Sequence, residues 1–484
     1  MSISQALSNA VTGLNASARA AGVVSSNLAN ALTPGYGVRA LELASQSGGN
    51  QGGVSVVGLT RNVDQGILSD RRLSDSQLAD AETRAEFIEQ LERVVGTPDE
   101  GASLSARIAA FDAALVSAAS KPEATEWLQA AVLRAGDLAR TLNNISAEIQ
   151  TRRTNADSDI ELAVNKVNDT LEKIRNLNIQ IATTVKGGNA SASLQDQRQV
   201  AIDELAEYIP IRQVPRDNGT VALFTPGGAI LLDGTAATLD FTTTNVVAPH
   251  MTLGAGLVSG LTINGVNVTP SGPASPIAGG KLSALFAVRD DLGVDANTQV
   301  DALARDLIDR FQAAGLDATR VPGDPGLFTD GGAAFDPLNE VGIAGRISVN
   351  VAVQPENGGE YWRLRDGLGA VAPGPAGDGS LLQDLQQALS QTGTMSSGNL
   401  GATSRSLSGH SASFVSRIGQ DRLSLDQDIS FAAARQRELT ALELEGGVDT
   451  DAEMQRLLLV EQNYSANARM IQTLDEMMEA LLRI

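Results

Sequence analysis

Histidine is the side chain most often recruited as a general base near neutral pH, and this 484-residue chain has two, His250 and His410. A Ser-His-Asp arrangement needs a positioned imidazole beside a nucleophile, and neither histidine has a recognisable nucleophile motif near it. His410 lies in the Ser/Gly segment 406–413, which reads as a loop entering a helix, so a solvated or capping role is expected for it. The run Gly254-Ala255-Gly256-Leu257-Val258-Ser259-Gly260 is loosely like a dinucleotide loop. It fails the spacing and precedes no convincing helix, so it is expected to be a turn between short strands. Asp324, Asp330 and Asp336 lie among glycines and hint at calcium. Their register does not meet the EF-hand pattern and no Glu closes it, so turn chemistry is expected instead. Neither a P-loop nor an HExxH motif occurs. The absence of cysteine removes disulfides, thiolate metal sites and Cys nucleophiles together. Carboxylate pairs abound, but none is singled out. No catalytic residue, cofactor-binding residue or metal ligand is therefore assigned, no cofactor is expected, and the chain reads as a non-enzyme.

If chemistry is not the point, assembly is the alternative, and the composition is compatible with it. Hydrophobic residues make up 42% of the chain and aromatics only 3%, so cores must be built from Ala, Leu, Ile and Val. A chain of this length is expected to form two to four domains. The net charge of −21 disfavours a nucleic-acid partner and an anionic membrane surface. No apolar run reaches the length of a membrane span. Met1-Ser2-Ile3-Ser4 lacks the basic region and apolar run of a Sec-type signal peptide.

The two ends carry the clearest pattern. Ile3, Leu7, Ala10, Leu14, Ser17, Ala21, Val24, Leu28 and Ala31 alternate at spacings of four and three, a heptad-like seam. The opposite face is polar yet carries a single charge, Arg19. Pro34 and Gly35 are expected to end this helix. Near the other end, Thr450 and Glu453 have capping-box spacing. Leu457, Val460, Tyr464, Asn467, Ile471, Leu474, Met478 and Leu481 then follow at similar spacing. Asn467 either sets register or yields its place on the stripe to Ala468. Neither helix is long enough to be reliably stable alone. Their packing together would bring the ends of the chain side by side. Two residue sets are assigned to assembly on this basis. Leu7, Leu14, Val24 and Leu28 with Leu457, Tyr464, Ile471, Leu474 and Met478 form the paired-helix seam. Asn30, Thr33, Pro34, Gly35 and Tyr36 form the turn that redirects the chain.

Between the ends, helices are expected over 78–95, 104–119, about 123–183, 194–208, 381–389 and 409–443. The polar patch Thr151-Arg152-Arg153-Thr154-Asn155-Ala156-Asp157 is either continuous helix or a tight helix–helix turn. Lys186-Gly187-Gly188-Asn189 is expected to break the long helix. From 211 to 370 the texture changes. Strands are expected at 211–214, 221–224, 229–232, 251–252, 261–263 and 347–353, and helices at 281–292 and 298–313. Pro226-Gly227-Gly228, Asp233-Gly234, Asn264-Gly265 and Gly279-Gly280 supply hairpin and turn signals. Glycine-rich 366–379 is expected to be a flexible join. The fold class expected is multidomain α+β, with coiled-coil-like paired terminal helices, a long-helix bundle and an inserted β-rich domain. The divisions are 1–40 with 445–484, 41–210 with 371–444, and 211–370.

Ser26-Asn27-Leu28-Ala29-Asn30-Ala31-Leu32-Thr33-Pro34-Gly35-Tyr36 closely resembles the N-terminal signature of bacterial flagellar rod, hook and hook-associated axial proteins. Residues 458–471, which include Glu461-Gln462-Asn463-Tyr464-Ser465-Ala466-Asn467, resemble the matching C-terminal motif. Within that family, Arg61-Asn62-Val63-Asp64 with Leu68, Leu194-Gln195-Asp196-Gln197-Arg198 with Ile202, Leu205 and Ala206, and the long helical stretch resemble the hook–filament junction members. Leu32 departs from the family's usual Asn, and Gly37-Val38-Arg39 from its usual Ser-Arg. The resemblance implies a secreted structural subunit, exported by the flagellar type III system without a cleaved signal. It implies self-association in a ring on the hook, with hook protein beneath, a second hook–filament junction protein above, and an export chaperone holding the C-terminal helix beforehand. The ends would then order on assembly. The alternatives are another axial role, in hook or distal rod, and a secreted adhesin or glycan-acting protein using the inserted domain.

Overall fold

The computed structural model describes residues 3–46, 52–187, 190–400 and 403–482. The chain folds mainly into helices: α1 (Ile3–Ala29), α2 (Gln65–Val95), α3 (Leu104–Ser120), α4 (Thr125–Lys186), α5 (Ala192–Tyr208), α6 (Gly280–Ala287), α7 (Gly293–Gln312), the single turn α8 (Arg363–Asp366), α9 (Ser380–Ser390), α10 (Leu407–Glu445) and α11 (Thr450–Leu482). Small antiparallel sheets sit among them. β1 (Val38–Ser45) pairs with β2 (Val54–Asn62). β3 (Arg212–Pro215), β4 (Val221–Phe224), β5 (Ile230–Asp233) and β6 (Thr235–Ala236) form a second sheet. β7 (Leu239–Asp240), β8 (Leu261–Ile263) and β9 (Val266–Val268) form a third, and β10 (Phe328–Asp330) with β11 (Ile347–Val349) a fourth.

The long helix α4 organises the body. Its 62 residues span roughly 93 Å at 1.5 Å per residue. The first apolar thread, Leu128, Val132, Ala135, Leu138, Leu142, Ile145 and Ile149, is buried in one core with α3, α7, α9, β10 and β11. The second, Ile160, Val164, Val167, Leu171 and Ile174, is buried in another core with α5, α6 and strands β4, β5, β7 and β8. Residues 211–370 therefore supply side chains to both cores. The few aromatics concentrate where they anchor the first core. Phe111, Phe311 and Phe328 form a tilted and edge-to-face triangle with ring centroids 5.2–5.7 Å apart.

The polar patch at 151–157 lies inside the unbroken helix. Arg153 and Asp157 point inward there and are fully buried. Asp157 accepts from Arg289 Nη1 at 2.6 Å and from the Thr244 backbone N–H. Arg153 donates to the carbonyls of Arg289, Ala248 and Met251. Arg289 sits in a one-turn π-helix, Val288–Leu292, between α6 and α7. A Cβ on the following Gly293 would come within 2.6 Å of the Arg153 side chain. The widened turn and the glycine together make room for the aliphatic stem of Arg153. The patch is therefore a charged bolt between the two cores.

Several sequence expectations need correction. α2 begins at Gln65, well before 78, because Asp64 caps it by accepting from the Gly66 and Ile67 N–H groups at 2.8 and 3.1 Å. The β1–β2 hairpin was not expected, since 38–62 alternates weakly. Gly279-Gly280 does not turn a hairpin; Gly280, at φ +81°, starts α6 against the Tyr208 carbonyl, where a Cβ would lie 2.6 Å away. Residues 251–252 form no strand, and the Met251 carbonyl is held by Arg153. The strand expected at 347–353 stops at Val349. Asn264-Gly265 does make a tight β8–β9 hairpin, with φ of 53° and 77°. In the expected break after α4, Gly188 and Asn189 lie outside the described residues. The join at 366–379, expected to be flexible, is tied down at several points. Asp366 pairs with Arg365 and accepts from the Gly374 N–H. The Leu368 N–H donates to Asp317, the Gly369 N–H to Thr319, and Arg365 to the Ala376 carbonyl.

A terminal helix pair and its moored exit turn

α1 and α11 lie against each other, and they meet through small residues. Ala10, Ala16 and Val24 are the buried apolar residues of α1. Gly13 faces Asn467, and a Cβ on Gly13 would lie 2.9 Å from its side chain. Asn467 thus keeps its place at the interface, with Ala468 half-buried beside it. The large seam residues divide. Val24 and Leu474 are buried; Leu14, Leu457 and Ile471 are half-buried; Leu7, Leu28, Tyr464 and Met478 are exposed. Two helices can bury only one narrow stripe each, so residues at the stripe's edge stay in solvent. Gly13 was missed, because a glycine carries no hydrophobic signal. The α11 cap is also corrected. Asp449 rather than Thr450 accepts from the Asp451 and Ala452 N–H groups.

Beyond this contact α11 is covered sparsely. Met454, Leu458, Leu459, Met470, Met477, Leu481 and Leu482 are all exposed. Glu453 is buried at the start of α11 and pairs with Arg456 at 2.7 Å.

The turn after α1 is a built structure. Asn30 donates to the Ser26 carbonyl at 2.8 Å and accepts from the Thr33 hydroxyl. Thr33 N–H bonds the Asn30 carbonyl and Tyr36 N–H the Thr33 carbonyl, with Gly35 at φ +76°. Pro34 is exposed and Leu32 is 93% exposed. The centre of the turn is a residue not assigned from sequence, Asn27, which is fully buried. Its side chain accepts from Tyr36 Oη at 2.8 Å and Arg39 N–H at 3.0 Å, and donates to the Arg39 carbonyl at 2.9 Å.

The turn is moored to α5 by Asp196. This carboxylate accepts from Gly37 N–H at 3.1 Å, Arg39 Nη2 at 2.8 Å and Arg61 Nε at 2.7 Å. Arg61 also donates to the Gly35 carbonyl and to Gln199. A Cβ on Gly35 would strike Val200 of α5 at 2.6 Å. Below it, Arg71 bridges Asp75, Asp203 and Glu443, joining α2, α5 and α10. Burial pushes the Asp75 carboxyl up despite Arg71 beside it. No residue type or spacing marked these partners as a unit, because they lie far apart in sequence.

His410 and the three aspartates weighed for chemistry are held in structural contacts, whereas His250 is exposed at the rim of a cavity. His410 is fully buried inside α10, neither solvated nor capping, with Nε2 2.9 Å from the Gly393 carbonyl. Ser406 is the cap there. Asp330 pairs with Arg346, while Asp324 and Asp336 accept from backbone N–H groups of their own turns. Among the described residues no cluster of metal-ligating side chains occurs, and no helix is long and apolar enough to cross a membrane.

Comparison with known proteins agrees with the resemblance at three places. Residues 88–328 match the family described as the flagellar hook-associated protein FlgK helical domain. Residues 7–36 match the flagella basal body rod protein family, and 445–484 the C-terminal family of flagellar basal body rod FlgEFG proteins. Flagellar hook-associated protein 1 of Salmonella typhimurium is 27% identical over 244 residues, covering 49% of this chain and 44% of that protein. The Escherichia coli K12 protein of the same name is 24% identical over 286 residues, covering 54% and 52%. That of Bacillus subtilis is 26% identical over 241 residues, covering 47% of each. The chain thus aligns over about half the length of these curated relatives. Among solved structures, the flagellar hook junction protein FlgK from Burkholderia pseudomallei matches with a TM-score of 0.44 and 22% identity, covering 55% of this chain and 47% of that one. With rod-protein sequences at both ends and the hook-associated helical domain between them, the chain belongs to the flagellar hook-associated protein 1 family.

Proposed function

We propose that the chain is a structural, non-enzymatic subunit of the bacterial flagellum, seated at the junction between hook and filament. The observation that carries this reading is the terminal pair. Leu458, Leu459, Met470, Met477 and Leu481 of α11 are exposed on a chain of net charge −21. Apolar exposure repeated along one helix in this way is suited to burial by neighbours. In this reading residues 1–40 and 445–484 form the coiled-coil-like axial core, and identical copies pack around it as a ring on the hook. The helical body and the β-rich part of 211–370 face outward. The moored turn, with Asn30, Thr33, Pro34, Gly35 and Tyr36, sets the angle at which the chain leaves the core. Leu7, Leu28, Tyr464 and Met478, at the edge of the pair, contact adjacent subunits, hook protein or the second junction protein. Export through the flagellar type III system, with a chaperone covering α11, fits a helix that leaves so much apolar surface open.

The test is position. Gold-labelled antibody on isolated hook–filament complexes is expected at a single site where the two meet. Label along the hook, or at the distal rod, would replace this reading with another axial role.

A further inference from the structure

A cleft of about 230 Å³ lies where the end of β2, the start of α2, and α5 meet. Arg61, Arg72 and Arg198 line it, together with Asn62, Gln195 and Gln213. Each guanidinium is partly engaged and keeps a donor edge free. Arg61 uses Nε and Nη2 on Asp196, Gly35 and Gln199, and its Nη1 has no acceptor among the described residues. Arg72 is 1% exposed; Nε binds Asp203 and Nη1 binds Gln213, while Nη2 is buried without a partner. Arg198 is 7% exposed and makes both its bonds from Nη1, to Asn178 at 2.8 Å and the Gly219 carbonyl at 2.7 Å. It forms no ion pair among the described residues. Burial, with Arg61 and Arg72 nearby, pulls its pKa down to about 10.

A buried cation without a counterion is costly, and so is a buried donor without an acceptor. Most guanidinium groups in this acidic chain have carboxylate partners, which makes Arg198 an exception. We propose that the cleft binds one small oxyanion, whose oxygens take the free edges of Arg61, Arg72 and Arg198. Guanidinium forks match such oxygens in geometry as well as charge. The volume suits an inorganic phosphate or the carboxylate of a short acid. Because Arg61 also holds the Gly35 carbonyl and Asp196, occupancy would tighten the mooring of the exit turn to α5.

The test is calorimetric titration of the full chain, at ionic strength held constant with sodium chloride, using inorganic phosphate and acetate separately. Saturable binding of one anion per chain is expected. Phosphate as the tighter ligand identifies a free tetrahedral ion; acetate as the tighter identifies a carboxylate. Two variants keep the result specific. Asn62→Asp sets a carboxylate at the exposed wall of the cleft and is expected to weaken binding at least tenfold without lowering the melting temperature. Arg198→Gln removes the unpaired charge and is expected to weaken it at least as much. Absence of saturable binding, or equal binding by either folded variant, would overturn the proposal.

Discussion

α4 and α11 are both long amphipathic helices, but only α4 is sheltered. α4 buries apolar residues along its whole length and, at its middle, Arg153 and Asp157. α11 buries Glu453 and Leu474. The difference lies in what surrounds them. α4 is flanked by α3, α5, α6, α7 and strands of three sheets. α11 has α1 as its main neighbour. Similar periodicity therefore marks a finished core in one place and an unfinished one in the other. Amphipathic spacing says that a face seeks cover, not whether the same chain provides it.

Substitutions can break that comparison, and the largest effect is expected at the charged bolt. Arg289→Ala strands Asp157 and Asp290, the two carboxylates paired with it in a buried site, and should cost about 3–5 kcal/mol in urea unfolding; a cost below about 1 kcal/mol would deny the bolt its structural role. Leu171→Ala, at a fully buried position of α4, should cost about 2–5 kcal/mol. Asp301 offers a pH test of the same body. Its carboxylate accepts from the Gly342 and Ala344 N–H groups, yet burial pushes its pKa from 3.8 up to about 6. A raised carboxyl favours the fold below its unfolded pKa, and that contribution is lost as pH rises from about 4 through 6. The shift corresponds to at most about 3 kcal/mol. Asp301→Asn should flatten the difference in stability between pH 4 and 7; an unchanged pH profile would count against it.

Effects at the terminal pair should be smaller in the isolated chain. Gly13→Val forces a side chain against Asn467 and should cost about 1–3 kcal/mol, read as lost hydrogen-exchange protection in α1 and α11 alone. Leu458→Ser, at a position 58% exposed, should change monomer stability by less than about 0.5 kcal/mol yet reduce incorporation into flagella. A large loss of monomer stability from Leu458→Ser would erase the contrast with α4.

Long helices were legible because their apolar threads persist over many turns. Ile160 to Ile174 needed no tertiary information. The pairing of α1 with α11 was legible for the same reason, though not the particular residues that touch. Gly13, which meets Asn467, carries no hydrophobic signal, while Leu7 and Met478 carry much and stay exposed. Polar organisation was the least legible. Asn27 reads as an ordinary polar-face residue until Tyr36 and Arg39 fold back onto it. Arg39, Arg61 and Asp196 become one unit only after about 160 residues of chain have returned α5 to the turn. His410 was misread because its Ser/Gly neighbours suggested a loop, whereas the segment caps and continues α10.

α4 also has a mechanical consequence. Both cores clamp the same uninterrupted rod, so neither can swivel or slide relative to the other without flexing it. A push on one end of the body must travel as strain through continuous turns of backbone, and the charged bolt sits midway, where a flexing rod is most stressed. The body is thus braced like a beam fixed in two sockets, and it would transmit torque rather than absorb it.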